Sequence, residues 1–226
     1  VVSIALRSVL VIKDVTMLQY YEQRYPEYEA IYAKPERQVD LVWLEARIRE
    51  LTSYKCVYEI ACGTGYWTRR LASFAERVHA TDVSQKLVDL AVSGCASDNV
   101  TSETADAFNI PKSQNFNCVL AGFFYSHVLI KQQSPFLKGL AESFLPGTRV
   151  VLFDNRYVEG SNTAVSRCSD EGDTYQTRLL SDGSSHEVLK NFPTESELKT
   201  TCAPFLRDLE VMECQYYWLV TGIISD

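Results

Sequence analysis

Residues 56–65 read Cys56-Val57-Tyr58-Glu59-Ile60-Ala61-Cys62-Gly63-Thr64-Gly65. The first five are a β-prone run, and the chain then turns through two glycines separated by one residue. Glycine tolerates the left-handed backbone a sharp strand-to-helix turn needs, and it lets a ligand lie directly on the main chain. Residues 66–75 follow with helical spacing, and a helix start offers unsatisfied N–H groups and a partial positive charge. A pyrophosphate site would read G-x-G-x-x-G, but position 68 is Thr, so the third glycine is missing. Glu59 at the head of the loop also opposes a pyrophosphate and suits a ligand bearing a cationic ammonium group.

Working outward, a second strand over 77–81 ends at Asp82, and Ser84 is placed to cap a helix over 85–92. A short strand over 100–103 ends near Asp106. The nearly continuous apolar run 116–124 suits a parallel strand buried on both faces. A helix over 134–144 and a fifth strand over 148–153 complete an alternation that predicts an α/β doubly wound sheet with helices on both faces. Residues 155–190 are polar and turn-rich, with β-like runs on either side of Ser181-Asp182-Gly183-Ser184, and read as an inserted hairpin. Thr194-Glu195-Ser196-Glu197 is a capping box opening a further helix. Two closely spaced terminal strands, 209–214 and 217–224, leave no room for a crossover helix and should pair antiparallel. The expected sheet has seven strands, mostly parallel with the last antiparallel.

Before the loop, 18–50 reads as helical and broken at Pro26. The chain thus divides into 1–50, an N-terminal extension and helical lid, and 51–226, the domain carrying the hairpin. Tyr20, Tyr21, Tyr25, Tyr28 and Tyr32 serve equally well as a packing face or as a lid over a ligand. Residues 1–12 are largely apolar but carry Arg7; the stretch precedes Met17, and 1–16 read as an artefact or as a short extra strand.

The 226 residues carry 22 basic and 29 acidic side chains, a net charge of −7. That balance repels phosphate backbones, and no basic run overrides it, so nucleic acid is not expected as a partner. Seven scattered cysteines without a C-x-x-C pair suggest reduced thiols in a cytoplasmic protein, and neither a metal site nor a disulfide framework. No apolar run reaches the ~18–20 residues that cross a bilayer, so no membrane association is expected.

Three carboxylates, Glu59, Asp82 and Asp106, fall at carboxyl ends of expected strands, where open α/β sheets bind ligands. With the E-x-A-C-G-T-G loop, the ATDVS segment around Asp82, the ADAF segment around Asp106 and the terminal strand pair, the chain resembles class I S-adenosylmethionine-dependent methyltransferases over about 18–224, and the hairpin resembles a bacterial small-molecule branch. The resemblance implies S-adenosyl-L-methionine as cofactor and S-adenosyl-L-homocysteine as product. It places the amino-acid part of the cofactor on Glu59, Ala61, Gly63 and Gly65, the ribose on Asp82 beside Val83, and the adenine near Asp106, Ala107 and Phe108. Gly122 and Phe123 fall beside the methionine, and a lid would add Tyr21 and Tyr28.

The motifs of nucleic-acid methyltransferases are missing, because 121–126 reads Ala-Gly-Phe-Phe-Tyr-Ser and no Pro-Cys pair occurs. A small-molecule methyl acceptor, bound by a monomer or homodimer, is therefore expected. His127 and His186 are candidate general bases, each with a structural reading as well; Asp154, Asn155, Arg156 and Tyr157 follow strand five, where substrate contacts are plausible. The rival readings are an NAD(P)-dependent oxidoreductase and a non-catalytic cofactor-binding module.

Overall fold

The computed structural model describes residues 15–112 and 115–226. The readings made for residues 1–14 lie outside the described residues. The main sheet is built from β1 (Cys56–Ile60), β2 (Arg77–Asp82), β3 (Val100–Thr104), β4 (Cys118–Gly122), β5 (Arg149–Asn155), β9 (Leu206–Glu213) and β10 (Tyr217–Ile224). Their order is β3-β2-β1-β4-β5-β10-β9. The five strands β1 to β5 are mutually parallel, and β10 runs antiparallel to both β5 and β9.

The central strands are apolar on both faces, as a sheet sandwiched by helices requires. Tyr58, Ile60, Val119, Ala121, Val150 and Leu152 face one layer, where α5 (Ile130–Ser143) contributes Phe136, Leu137 and Leu140 and α6 (Glu195–Cys202) contributes Leu198. Val57, Leu120, Val151 and Phe153 face the other, against Leu41, Leu44 and Ile48 of α2 (Gln38–Thr52) and Trp67 and Leu71 of α3 (Tyr66–Leu71). α4 (Gln85–Ser93) starts at Ser84, whose hydroxyl accepts from the Leu87 N–H, and the Thr194–Glu197 capping box opens α6.

Two of the boundaries that differ from expectation have a visible cause. The first helix, α1 (Val15–Tyr28), continues through Pro26; the break comes afterwards, in two short 3-10 turns, Glu29–Ala33 and Pro35–Arg37. Proline leaves the carbonyl four residues earlier without its helical donor. That carbonyl, on Glu22, accepts instead from Lys86 Nζ at 3.1 Å. The helix α5 starts at Ile130 rather than near 134, because Asp173 Oδ1 accepts from the Ile130 N–H at 2.8 Å.

The inserted segment forms a second sheet of β6 (Arg167–Cys168), β7 (Thr174–Leu179) and β8 (Ser185–Leu189), all antiparallel. Its position is set by Tyr20 of α1, which packs with Leu180 and Val188. α1 thus lies between the hairpin and α4, over the carboxyl ends of the parallel strands.

Candidate active site

The chain turns out of β1 through Ala61 (φ 53°) and Gly63 (φ 56°), and Gly65 (φ 81°) precedes the first turn of α3. A side chain on Gly63 would meet no atom within 4 Å, so its backbone faces open space. A side chain on Gly65 would fall 2.5 Å from the Ala91 backbone. Gly65 therefore serves the close approach of α3 to α4, and it does not line the cavity described below.

Asp82 ties the first two strand ends together. Its carboxylate accepts from the Gly63 N–H and the Ser84 N–H, each at 3.0 Å. These bonds leave lone pairs for further donors. Burial raises the Asp82 carboxyl above its ordinary range, against the lowering effect of those N–H groups.

The two loops frame a cavity of about 110 Å³ lined by Ala61, Gly63, Thr64, Asp82, Val83, Leu87, Gly122, Phe123, Phe124, His127, Tyr21 and Tyr28. Its walls are mainly apolar and aromatic, with one carboxylate. Gly122 is needed here because a Cβ would lie 2.2 Å from the Phe153 ring. Of the residues expected from sequence, Tyr21, Tyr28, Ala61, Gly63, Asp82, Val83, Gly122, Phe123 and His127 meet on this wall. Thr64, Leu87 and Phe124 join them.

The remaining candidates stand elsewhere. Glu59 is buried behind the loop, where its carboxyl accepts from Thr68 Oγ1 at 2.7 Å, and burial pushes its pKa up to about 8. Its bond to Thr68 braces the loop from behind, and Glu59 does not line the cavity. Asp106 is exposed and accepts from the Phe108 N–H, an ordinary side-chain-to-backbone turn. Ala107 and Phe108 pack on the core beneath α5, with the Phe108 ring 6.3 Å from Phe124, behind the wall instead of on it. His186 sits on β8 beside Tyr20 and bonds Ser184 Oγ at 2.9 Å, lining neither this cavity nor the next. Arg156 turns away to Cys214 and Glu213, and Tyr157 packs on Phe192.

His127 is fixed from both sides. The Leu189 carbonyl, which only accepts, lies 2.6 Å from Nδ1, so Nδ1 carries the proton. Nε2 then accepts from the Tyr21 hydroxyl at 2.8 Å. Burial, reinforced by the Lys190 charge, holds the imidazole well below its usual pKa. A neutral ring is the protonation state a general base requires, and its one lone pair, on Nε2, is held by the Tyr21 hydroxyl, so a base role requires Tyr21 to release it.

A second cavity of about 140 Å³ adjoins the first and shares Tyr21, Tyr28, Phe123 and His127 with it. Its walls come from α1, the 3-10 turns, the 155–163 segment and the hairpin. Arg24, Arg37, Arg178 and Lys190 line it and had no place among the expected site residues. One signal was present: Gln176 and Arg178 alternate on β7, as side chains facing one side of a strand must. The burial of that face depends on α1, which the hairpin's own sequence does not report.

Comparison with known proteins agrees with this architecture. Residues 57–147 match the methyltransferase domain family. A structure of DhpI in complex with SAH is 26% identical, with a TM-score of 0.76, covering 93% of this chain and 96% of that one. A DhpI-SAM-HEP complex is 27% identical with a TM-score of 0.72, over 91% and 95% of the two chains. The PH0226 protein from Pyrococcus horikoshii OT3 shares the fold at 15% identity and a TM-score of 0.72, over 92% and 99%. No curated protein sequence matches. Residues 57–147 thus carry a methyltransferase domain, and the seven-stranded sheet with a cavity on its parallel strand ends is the architecture of these SAH- and SAM-bound structures, which supports a class I S-adenosylmethionine-dependent methyltransferase.

Proposed function

We propose that the chain methylates a small molecule, with the cofactor in the first cavity and the acceptor entering from the second. The single observation that carries this reading is that the two cavities meet at one aromatic wall containing the neutral His127. S-adenosylmethionine supplies a methyl group already activated on a cationic sulfonium.

The residues fit that group. The bare backbone of Gly63 leaves room for the amino-acid portion, and the remaining lone pairs of Asp82 suit a ribose diol. Val83 and Leu87 supply an apolar slot for adenine. Tyr21, Tyr28 and Phe123 present ring faces, which attract a cation by roughly 0.5–2 kcal/mol each. Holding two reactants in line contributes roughly 7–11 kcal/mol in well-oriented systems, and that positioning is the protein's main task here.

α1 acts as the lid. Glu22 accepts from Ser84 Oγ at 2.5 Å, and Glu29 accepts from Thr64 and Arg69, so the helix is pinned to the loops that shape the cavity. Closing over the site excludes water and strengthens the polar contacts inside. His127, steadied by Leu189, accepts a proton from the acceptor where the acceptor carries one. An acidic chain whose cavities are this enclosed suits a small acceptor rather than a nucleic acid.

Calorimetric titration with S-adenosylhomocysteine tests the reading. Micromolar binding by the wild type, lost at least about 100-fold in Asp82→Ala, is expected, since each bond to a charged group is worth about 1.5–3 kcal/mol. Absence of binding by folded wild-type protein would overturn it.

A further inference from the structure

The second cavity concentrates positive charge in a chain whose net charge is −7. Arg24, Lys34, Arg37, Arg178 and Lys190 all line it, and none of its lining residues is Asp or Glu. Lys190 is neutralised locally: Asp154 accepts from it at 2.7 Å and Ser126 at 2.6 Å, both in full burial. The other four have no carboxylate partner among the described residues. Arg37, itself only 4% exposed, donates to the neutral oxygens of Ser161, Asn155 and Asn162. Lys34 donates to the Ser161 carbonyl, and burial together with the Arg37 charge lowers its pKa. Arg24 lies over the rings of Tyr20 and Tyr28.

Arg178 is the most telling of the four. One guanidinium nitrogen donates to Gln176 Oε1 at 2.7 Å and another approaches the Tyr20 hydroxyl at 3.4 Å, but its buried Nε has no partner. A buried donor left unpaired costs about 1–3 kcal/mol, more when charged. Glu36, which accepts from Ser161 Oγ, offsets part of the Lys34 and Arg37 charge, but Arg178 and Arg24 have no such neighbour, and the crowding of like charges adds repulsion to that cost. An arrangement this unfavourable when empty is the complement of an anion.

Resting on the methyltransferase reading, we propose that the second cavity binds a compact oxyanion group, phosphoryl or carboxylate, carried by the methyl acceptor. Arg178 and Arg24, both beside Tyr20, line it together with Arg37 and Lys34. The cavity is small, so the acceptor is a short molecule whose acidic group is held here while the rest extends to the Tyr21–His127 wall. Opposite charges then face each other across that wall: a cationic methyl donor among aromatic rings and an anionic acceptor among guanidinium groups.

Titration of the full chain with inorganic phosphate and, separately, with acetate tests this, each with and without saturating S-adenosylhomocysteine. Saturable binding of either probe is expected, weakened about tenfold or more in both Arg178→Gln and Arg24→Gln, as loss of a charge-assisted contact implies. Phosphate alone binding would assign a phosphoryl group, and acetate alone a carboxylate. Lys138→Gln, on an exposed helix face beside Glu142, should bind as the wild type does. Binding that survives both arginine substitutions, or no binding of either probe to protein that binds S-adenosylhomocysteine, would overturn the proposal. Failure of S-adenosylhomocysteine to bind, with phosphate or acetate still held through Arg178 and Arg24, would remove the cofactor reading and leave the anion site standing.

Discussion

The two cavities of this molecule meet at a shared wall but are built in opposite ways. The first rests on consecutive parallel strand ends, is walled by glycine backbone and aromatic rings, and carries one carboxylate. The second is assembled from segments more than 100 residues apart, α1 and the β7–β8 hairpin, and is dense in cations. The first is a feature of the sheet: Gly63, Asp82 and Gly122 sit where they do because β1, β2 and β4 end there. The second belongs to what this chain adds to the sheet. Cofactor chemistry is thus carried by the rigid part and acceptor recognition by the appended part, a division common where loops on a fixed scaffold carry specificity.

That contrast is sharpened by substitutions on each side. Gly122→Ala should have the largest effect, because the new methyl group would press into the Phe153 ring within the packed core. Overpacking of this kind costs about 1–3 kcal/mol, visible as a lowered Tm and weaker S-adenosylhomocysteine binding, with phosphate or acetate affinity in the second cavity changed less.

Glu59→Gln should come next and has the opposite sign. The folded-state pKa of Glu59 is raised to about 8, so its stabilising effect is complete below the ordinary carboxyl pKa and is lost as pH climbs towards 8. Denaturant unfolding at pH 5 should therefore barely separate the variant from the wild type. At pH 8 the variant should be clearly more stable. Equal stabilities at pH 8 would show that Glu59 is ionised in the fold and is available to a cationic ligand after all.

Tyr21→Phe should act least. It keeps the ring on the wall and removes only the hydroxyl that donates to His127. Losing that neutral hydrogen bond, worth about 1 kcal/mol to the unprotonated ring, lets the His127 pKa rise. With three histidines in the chain, their ring protons can be followed individually by NMR titration. A His127 titration unchanged by the substitution would break the coupling between lid and base.

The same division governs what the sequence disclosed. The order of strands, the Gly63 turn, the Asp82 terminus, the Ser84 cap and the Thr194–Glu197 capping box were all legible, because each follows from local backbone chemistry or a period of two. Glu59 and Gly65 were legible as part of the loop, but the neighbours they pack on were not. A motif gives position along the chain, whereas the Thr68 bond behind the loop and the Ala91 contact beneath it are tertiary facts. Asp106, Ala107 and Phe108 stand off the cavity wall for a similar reason: β3 runs one residue longer than expected and the following turn tucks Phe108 under α5. The basic cavity was not visible because its cations are dispersed over 24–190 and cancel in the net charge.

The central claim is that cofactor and acceptor meet at the wall of Tyr21, Tyr28, Phe123 and His127. A crystal structure with S-adenosylhomocysteine tests it most directly. The account predicts the ribose on Asp82, the homocysteine chain along Ala61 to Thr64, and the sulfur turned towards the Tyr21–His127 pair and the basic cavity beyond. A sulfur directed away from that wall, with the second cavity closed off from it, would contradict the account.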